Sequence, residues 1–237
     1  MNLGLRDIFA VGAPYLIAVG ACYQFGYWGT FQVNVLEFIS FTDIAKLAVY
    51  PLVISFVSLF VGGLIGQLFI MPHLPPGGGA SSPLGQAGIK SWRWLMAIIL
   101  IIAALVWIFG SEPWKWFAIA GLISLLSAPL THIDKLIQVV PNPGARSIIA
   151  FIFLFLPPLS FAYGRLDAFY VKTGSPVHIV DVVRSKIPVE SDTTNPVAYL
   201  GYFGNVYVLR ETKTGQIIFV KQRDDSPLFL SPKPGRS

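Results

Sequence analysis

The residues best placed for acid–base chemistry in this sequence are His132 and Asp134, which follow Pro129 at the end of an apolar segment. An imidazole beside a carboxylate could relay a proton, because histidine titrates near neutral pH. Positions two apart do not share a helix face, however, so the two side chains would point in different directions. Two interpretations therefore stay open: a functional polar site at His132 and Asp134, or an ordinary polar helix end.

Other patterns that would carry chemistry are lacking in the sequence. The remaining histidines are scattered, and no spacing of His, Cys, Asp and Glu fits a metal site. The glycine-rich residues 73–85 lack the lysine of a phosphate cradle and predict a loop. Cys22 is the single cysteine, so an internal disulfide cannot form. The sequence predicts no catalytic residue, metal or cofactor, and it disfavours an enzyme.

Five apolar segments supply the elements that would position any such site. They cover residues 8–28, 47–71, 94–109, 114–131 and 147–163. About 20 helical residues cross a bilayer core of about 30 Å, so these segments have roughly membrane length. None has a charged residue in its middle, where proton relays and voltage sensors place one. All six tryptophans lie at segment borders, which indicates the headgroup layer.

The charge distribution divides the chain into two parts. The sequence is 54% hydrophobic and 12% charged, whereas globular domains are about 25% charged. Only seven of its 17 Lys and Arg residues lie in residues 1–163, and the other ten lie in residues 164–237. We therefore predict a membrane all-α bundle of about five transmembrane helices in residues 1–163, followed by a small extramembrane β domain in residues 164–237.

Small residues recur at a spacing of four in three of the apolar segments. Such residues share one helix face and let the backbones of two membrane helices approach closely. They predict packing between helices or between copies of the chain, and the alternative is that Gly and Ala are simply frequent in such helices. The stripes are Ala18, Cys22 and Gly26; Ser58, Gly62 and Gly66; and Ala120, Ser124 and Ala128.

Pro157 and Pro158 interrupt the last apolar segment. Because proline has no N–H, a helix that continues through both would be kinked there. The distribution of Lys and Arg favours a segment that re-enters, whereas the hydrophobicity of the run favours one that crosses. We expect a kinked fifth crossing, which would place the C-terminal domain on the non-cytoplasmic side.

The C-terminal part alternates apolar and polar residues, as half-buried strands do. Strands are predicted over residues 177–183, 197–202, 206–210 and 217–221, with turns at Gly204-Asn205 and at Gly215. A small sheet or open barrel of SH3-like or OB-like size is expected, and residues 228–237 are expected to be frayed. The tyrosines of this part fit the core of the sheet, so we expect no nucleic-acid partner.

Three functions fit this plan, which resembles that of many bacterial inner-membrane proteins. The first is an integral membrane protein whose β domain binds a protein or senses a ligand. The second is a channel or transporter subunit, suggested by the stripes and the proline pair. The third is a membrane immunity protein against a pore-forming toxin, which rests on analogy alone. The expected partners are the lipid bilayer and a protein partner or a second copy.

Overall fold

The computed structural model describes residues 5–34, 49, 53, 57, 83–174, 178–185, 187, 196–222 and 227–232. Its helices are α1 (Leu5–Thr30), α2 (Pro83–Phe109), α3 (Glu112–Leu125), α4 (Ser127–Leu130), α5 (Asp134–Val139) and α6 (Pro143–Lys172). The strands are β1 (His178–Val180), β2 (Val197–Phe203), β3 (Val206–Glu211), β4 (Ile217–Lys221) and β5 (Leu230–Pro232). Helices followed by a small antiparallel sheet are therefore confirmed as the architecture.

Helix α6 is the longest element, with 30 residues or about 45 Å. It begins after Asn142, whose side chain accepts a hydrogen bond from the Ala145 N–H at 3.1 Å, and Pro143 occupies the first turn. Both Pro157 and Pro158 lie inside it. The chain therefore does not turn back at the prolines, and the proposed boundary between residues 163 and 164 falls within this helix.

Among the described helices, α6 alone is both long and apolar enough to cross a membrane. Only 28% of its most apolar stretch is buried, unlike the core helix of a globular protein. In α2 the apolar stretch Ala97–Phe109 is shorter. The other predicted crossings are not confirmed, and the second apolar segment lies outside the described residues except for Val49, Val53 and Val57, which are helical and exposed.

Helices α1 and α6 pack side by side and run parallel. The Tyr15 hydroxyl donates to the Ile152 carbonyl at 2.8 Å, and the Ser160 hydroxyl donates to the Val19 carbonyl at 2.9 Å. Further along both helices, Asp167 accepts a hydrogen bond from Tyr23. Contacts therefore advance in the same direction on both helices, and the β domain lies at the end opposite to the N-terminus of α1.

Helix α3 packs on α6 in the opposite direction. Trp116 and Phe117, near the start of α3, stack edge-on against Phe161 and Tyr163 of α6. The fourth apolar segment was predicted as one helix, but it breaks at Leu126 into α3 and α4. Helix α2 also begins earlier than predicted, at Pro83, within the glycine-rich residues expected to form a loop.

The five strands form one antiparallel sheet in the order β4-β3-β2-β1-β5. Strands are present at all four predicted places, although the first ends at Val180 and not at residue 183. Both predicted turns have the positive φ that they require: 54° at Gly204, 63° at Asn205 and 73° at Gly215. The expectation of a frayed end is wrong for residues 230–232, because β5 pairs with β1.

The two faces of the sheet are both covered. Val208 faces the helices, whereas Leu209, the next residue, packs with Val180, Val182 and Ile187 on the other side. Neighbouring residues of a strand point to opposite faces, so β3 is buried on both. The sheet is therefore a layer between the helix ends and a cover formed by the chain around β1.

Candidate functional site

An apolar cluster that we call the junction core joins the helices to the sheet. Its buried members are Trp28, Phe31, Ala168, Val171, Leu200, Phe203 and Val208. They come from α1, α6, β2 and β3, together with the residue that follows α1. Helix ends and sheet thus share one hydrophobic core, and burial of this apolar surface holds them together.

Trp28 is the centre of the junction core, with only 3% of its surface exposed. Its ring packs edge-on against Phe203, with centroids 5.0 Å apart, and its Nε1 donates to the Gln24 side chain at 2.8 Å. A Cβ at Gly201 would lie 3.1 Å from the Trp28 ring. The register of β2 against β3 shifts between Tyr199 and Gly201, at the point where the indole sits.

Because Trp28 is enclosed by protein, the expectation that its ring contacts lipid headgroups is wrong. The border position of a tryptophan reflects its amphipathic ring, which suits either a wet interface or a core with a polar partner. For Trp28, the side-chain amide oxygen of Gln24 is that polar partner. Trp94, Trp107 and Trp114 are exposed, so the original interpretation still suits them.

Two tyrosines of α1 tie the junction together with hydrogen bonds. The Tyr27 hydroxyl donates to the Leu200 carbonyl of β2 at 3.0 Å. One turn earlier, the Tyr23 hydroxyl donates to a carboxylate oxygen of Asp167 at 2.7 Å. A hydrogen bond to a charged group is among the stronger ones in proteins. These contacts fix the rotation of α1 relative to both α6 and the sheet.

Arg165 lies on α6 beside the ends of α1 and α3. Its Nη1 donates to the Thr30 hydroxyl at 3.1 Å, and its guanidinium carbon lies 5.2 Å from the centre of the Trp116 ring and 5.8 Å from that of Phe161. Arginine stacks on aromatic faces through cation–π attraction. Its Nε and the Trp116 Nε1 are buried, and neither has a hydrogen-bond acceptor in the described part of the chain.

The sheet presents further polar and apolar groups outside the junction core. Burial raises the pKa of the Tyr199 hydroxyl above its ordinary value, and nearby Tyr207 and Tyr202 add to the shift. This hydroxyl therefore stays protonated at neutral pH. On the edge strand β4, Phe219 is 45% exposed and Lys221 is exposed. An edge strand carries backbone groups that can pair with another chain.

The structure distributes the predicted packing residues unevenly. In α1, Gly26 is buried against the Phe161 backbone, Cys22 is half-buried and Ala18 is exposed. Ala120 is fully buried, whereas Ala128 is exposed on the separate helix α4. The hydroxyl of Ser124 donates within its own helix, to the Gly121 carbonyl. Ser58, Gly62 and Gly66 lie outside the described residues.

His132 and Asp134 do not form a site with other residues that the structure describes. His132 lies in the turn after α4 and Asp134 begins α5, and both are exposed. Among the described residues, no group of three His, Cys, Asp or Glu side chains could hold a metal ion.

Sequence reasoning missed Tyr23, Tyr27, Arg165 and Asp167 as a group. Arg165 and Asp167 were counted as part of the charged tail, although they belong to the last turns of α6. The helical period could have predicted that this helix continues beyond residue 163, because positions 160, 164, 167, 168 and 171 lie on one helix face. Their contacts join α1 to α6, and α1 to the sheet.

Comparison of the chain with protein-family models, with curated proteins and with solved structures finds no match.

Proposed function

We propose that this chain is an integral membrane protein that holds a small β domain at the membrane surface to bind another protein. The junction core carries this proposal. A sheet packed directly on the ends of α1 and α6 is held at a fixed height and rotation, which suits presentation of a binding edge.

The surface of the helical part supports a place in the bilayer. Exposed apolar side chains cover most of the circumference of α2 in its second half, apart from the side of buried Ala103, and include Leu100, Leu105 and Phe109. A water-facing helix has a polar face instead, and soluble monomers rarely expose large apolar patches. Hydrocarbon is the solvent that such a surface needs.

The parallel arrangement of α1 and α6 supports an odd number of crossings. Two parallel helices enter from the same side, so the β domain and the N-terminus of α1 lie on opposite sides if both helices span. With the N-terminus inside, the β domain is non-cytoplasmic. The inner membrane of a bacterium is the membrane that we propose.

The edge strand β4 is the proposed binding surface. It pairs with β3 on one side only, within the described sheet order, and its length of five residues suits the addition of a partner strand. Phe219 provides an exposed aromatic contact beside the open edge. Aromatic residues supply much of the energy of protein interfaces.

The test uses the full-length chain in its host membrane, with a photo-crosslinking residue in place of Lys221. We expect a protein adduct at this position that Phe219→Glu reduces about tenfold, because a lost aromatic anchor costs about 1.4 kcal/mol or more. Gln138→Glu, on exposed α5, is the matched control and should leave the adduct unchanged.

Two results would contradict the proposal. One is an adduct yield at position 221 no higher than that of the same crosslinker in place of Gln138. The other is an adduct that Phe219→Glu leaves intact. An adduct of twice the mass of the chain would identify the partner as a second copy.

A further inference from the structure

Two neighbouring N–H donors at the junction of α1, α3 and α6 have no acceptor among the residues that the structure describes. They are Nε of Arg165 and Nε1 of Trp116, and both atoms are buried. The two side chains stack on each other, with the guanidinium carbon 5.2 Å from the ring centre. Buried donors are nearly always satisfied in folded proteins, so a pair of unsatisfied donors in contact calls for a physical explanation.

The cation itself also lacks a carboxylate in the described surroundings. Nη1 of Arg165 donates to the Thr30 hydroxyl, a neutral acceptor. Asp167, two positions further along α6, accepts a hydrogen bond from Tyr23. Residues two apart point to different sides of a helix, so this carboxylate serves the α1 side rather than the guanidinium.

The depth of Arg165 in the proposed membrane arrangement is that of the lipid headgroups. It follows the apolar residues 147–163 of α6, and its contacts reach the last residue of α1 and the first turns of α3. Trp114 and Tyr163 lie at the same level, as expected of interfacial aromatic residues. In this arrangement the site therefore lies at the depth where phospholipid headgroups meet the protein.

We propose that Arg165 and Trp116 bind the phosphate group of an anionic phospholipid. A phosphate supplies several acceptors to a planar guanidinium fork, and stacking on Trp116 and Phe161 fixes the plane of that fork before the lipid arrives. Part of the Arg165 side chain is exposed, so a headgroup can approach the guanidinium. The buried Nε and the Trp116 Nε1 would be reached after a small shift of the two side chains. The inference rests on the proposed membrane placement of α6.

The experiment compares the thermal stability of the full-length protein in phosphatidylcholine vesicles with and without phosphatidylglycerol. We expect a clear rise of the melting temperature with phosphatidylglycerol, and its loss in Arg165→Gln. Trp116→Phe keeps the stacking ring but removes the indole N–H, so it should lose part of the rise. Lys172→Gln removes one positive charge from an exposed position near the end of α6, and this variant should keep the full rise of the melting temperature.

Each alternative outcome has a definite meaning. If Arg165→Gln keeps the full rise of the melting temperature, the proposed site is wrong. If Lys172→Gln loses as much of the rise as Arg165→Gln, general attraction between charges explains the effect and the proposed site is also wrong. Equal stabilisation by inorganic phosphate in pure phosphatidylcholine vesicles would overturn the assignment to a lipid. If the protein does not float with vesicles at all, the proposed membrane function fails instead.

Discussion

At the scale of single residues, two glycines set the distance between α1 and α6. A Cβ at Gly26 would overlap the Phe161 carbonyl oxygen, and a Cβ at Gly164 would overlap the Tyr23 carbonyl oxygen. The backbones therefore approach as closely as small residues permit. This distance is what allows the Ser160 hydroxyl to reach the Val19 carbonyl on the other helix.

Gly164→Leu should separate α1 from α6. The added side chain meets the Tyr23 backbone, which cannot move without shifting the whole helix, and overpacking of this kind costs about 1–3 kcal/mol or more. We expect a clearly lower melting temperature for the detergent-solubilised protein. Gly121→Leu on α3 is the control, since nothing lies within 4 Å of its Cβ position. An equal loss in both variants would contradict a specific contact at Gly164.

The sequence could identify only part of this contact. Gly26 belongs to a stripe that predicts close packing, and the structure buries it. Gly164 was placed at a domain boundary, because a spacing rule applied to one helix does not say which residues of another helix face it. The burial of Trp28 could not be predicted from the sequence either, since an indole suits both a headgroup layer and a core with a polar partner.

At the scale of elements, the junction core packs the sheet directly against α1 and α6. The residues between α6 and β1 are few, and Trp28, Val171 and Val208 share one cluster. Rearrangement of β2 would therefore alter the packing of α1 and α6. Coupling of this kind needs a contiguous packed network, which the junction core provides.

Trp28→Ala should loosen both sides of the junction core together. Removal of a buried tryptophan costs about 3–5 kcal/mol. We expect faster hydrogen exchange in β2 and in the last turns of α6, because both lose the same packing partner. Trp107→Ala removes an exposed tryptophan from α2 and should leave these rates unchanged. Faster exchange confined to α1 would show that the sheet and α6 do not depend on Trp28.

The elements differ in how well local patterns predict them. Strands β2, β3 and β4 alternate apolar and polar residues between glycine turns, so the sequence predicts them closely. Strand β5 was missed because a short apolar run before a proline does not reveal its partner, and the pairing with β1 is long-range. The break at Leu126 has a local signal that was not used, because Pro129 has no N–H for the carbonyl of Leu125, where α3 ends.

At the scale of the whole molecule, the parallel run of α1 and α6 separates its two ends. The start of α6 and the neighbouring α5 lie at one end, and the sheet lies at the other. The composition predicts a membrane protein with an apolar first part and a charged second part, because the length of apolar segments and the density of charges can be read from the sequence alone. The sequence left crossing and re-entry open, since proline is compatible with both.

Single cysteines in a Cys22→Ser background should report opposite sides of the membrane. An impermeant maleimide added to intact cells should label Lys221→Cys on β4 and should label Gln138→Cys on α5 only after permeabilisation. Both positions are exposed, so access depends on the membrane. Labelling of both positions from the same side would contradict the proposed placement of α6 across the bilayer.

The contact between α1 and α6 also sets an order of assembly. Val19 and Ser160 are 141 positions apart, so α1 leaves the ribosome long before its partner helix exists. During that interval the face of α1 that carries Gly26 is not covered by α6. A nascent chain halted before α6 would therefore expose this face, and exposed packing surface is what makes an incomplete fold prone to aggregation.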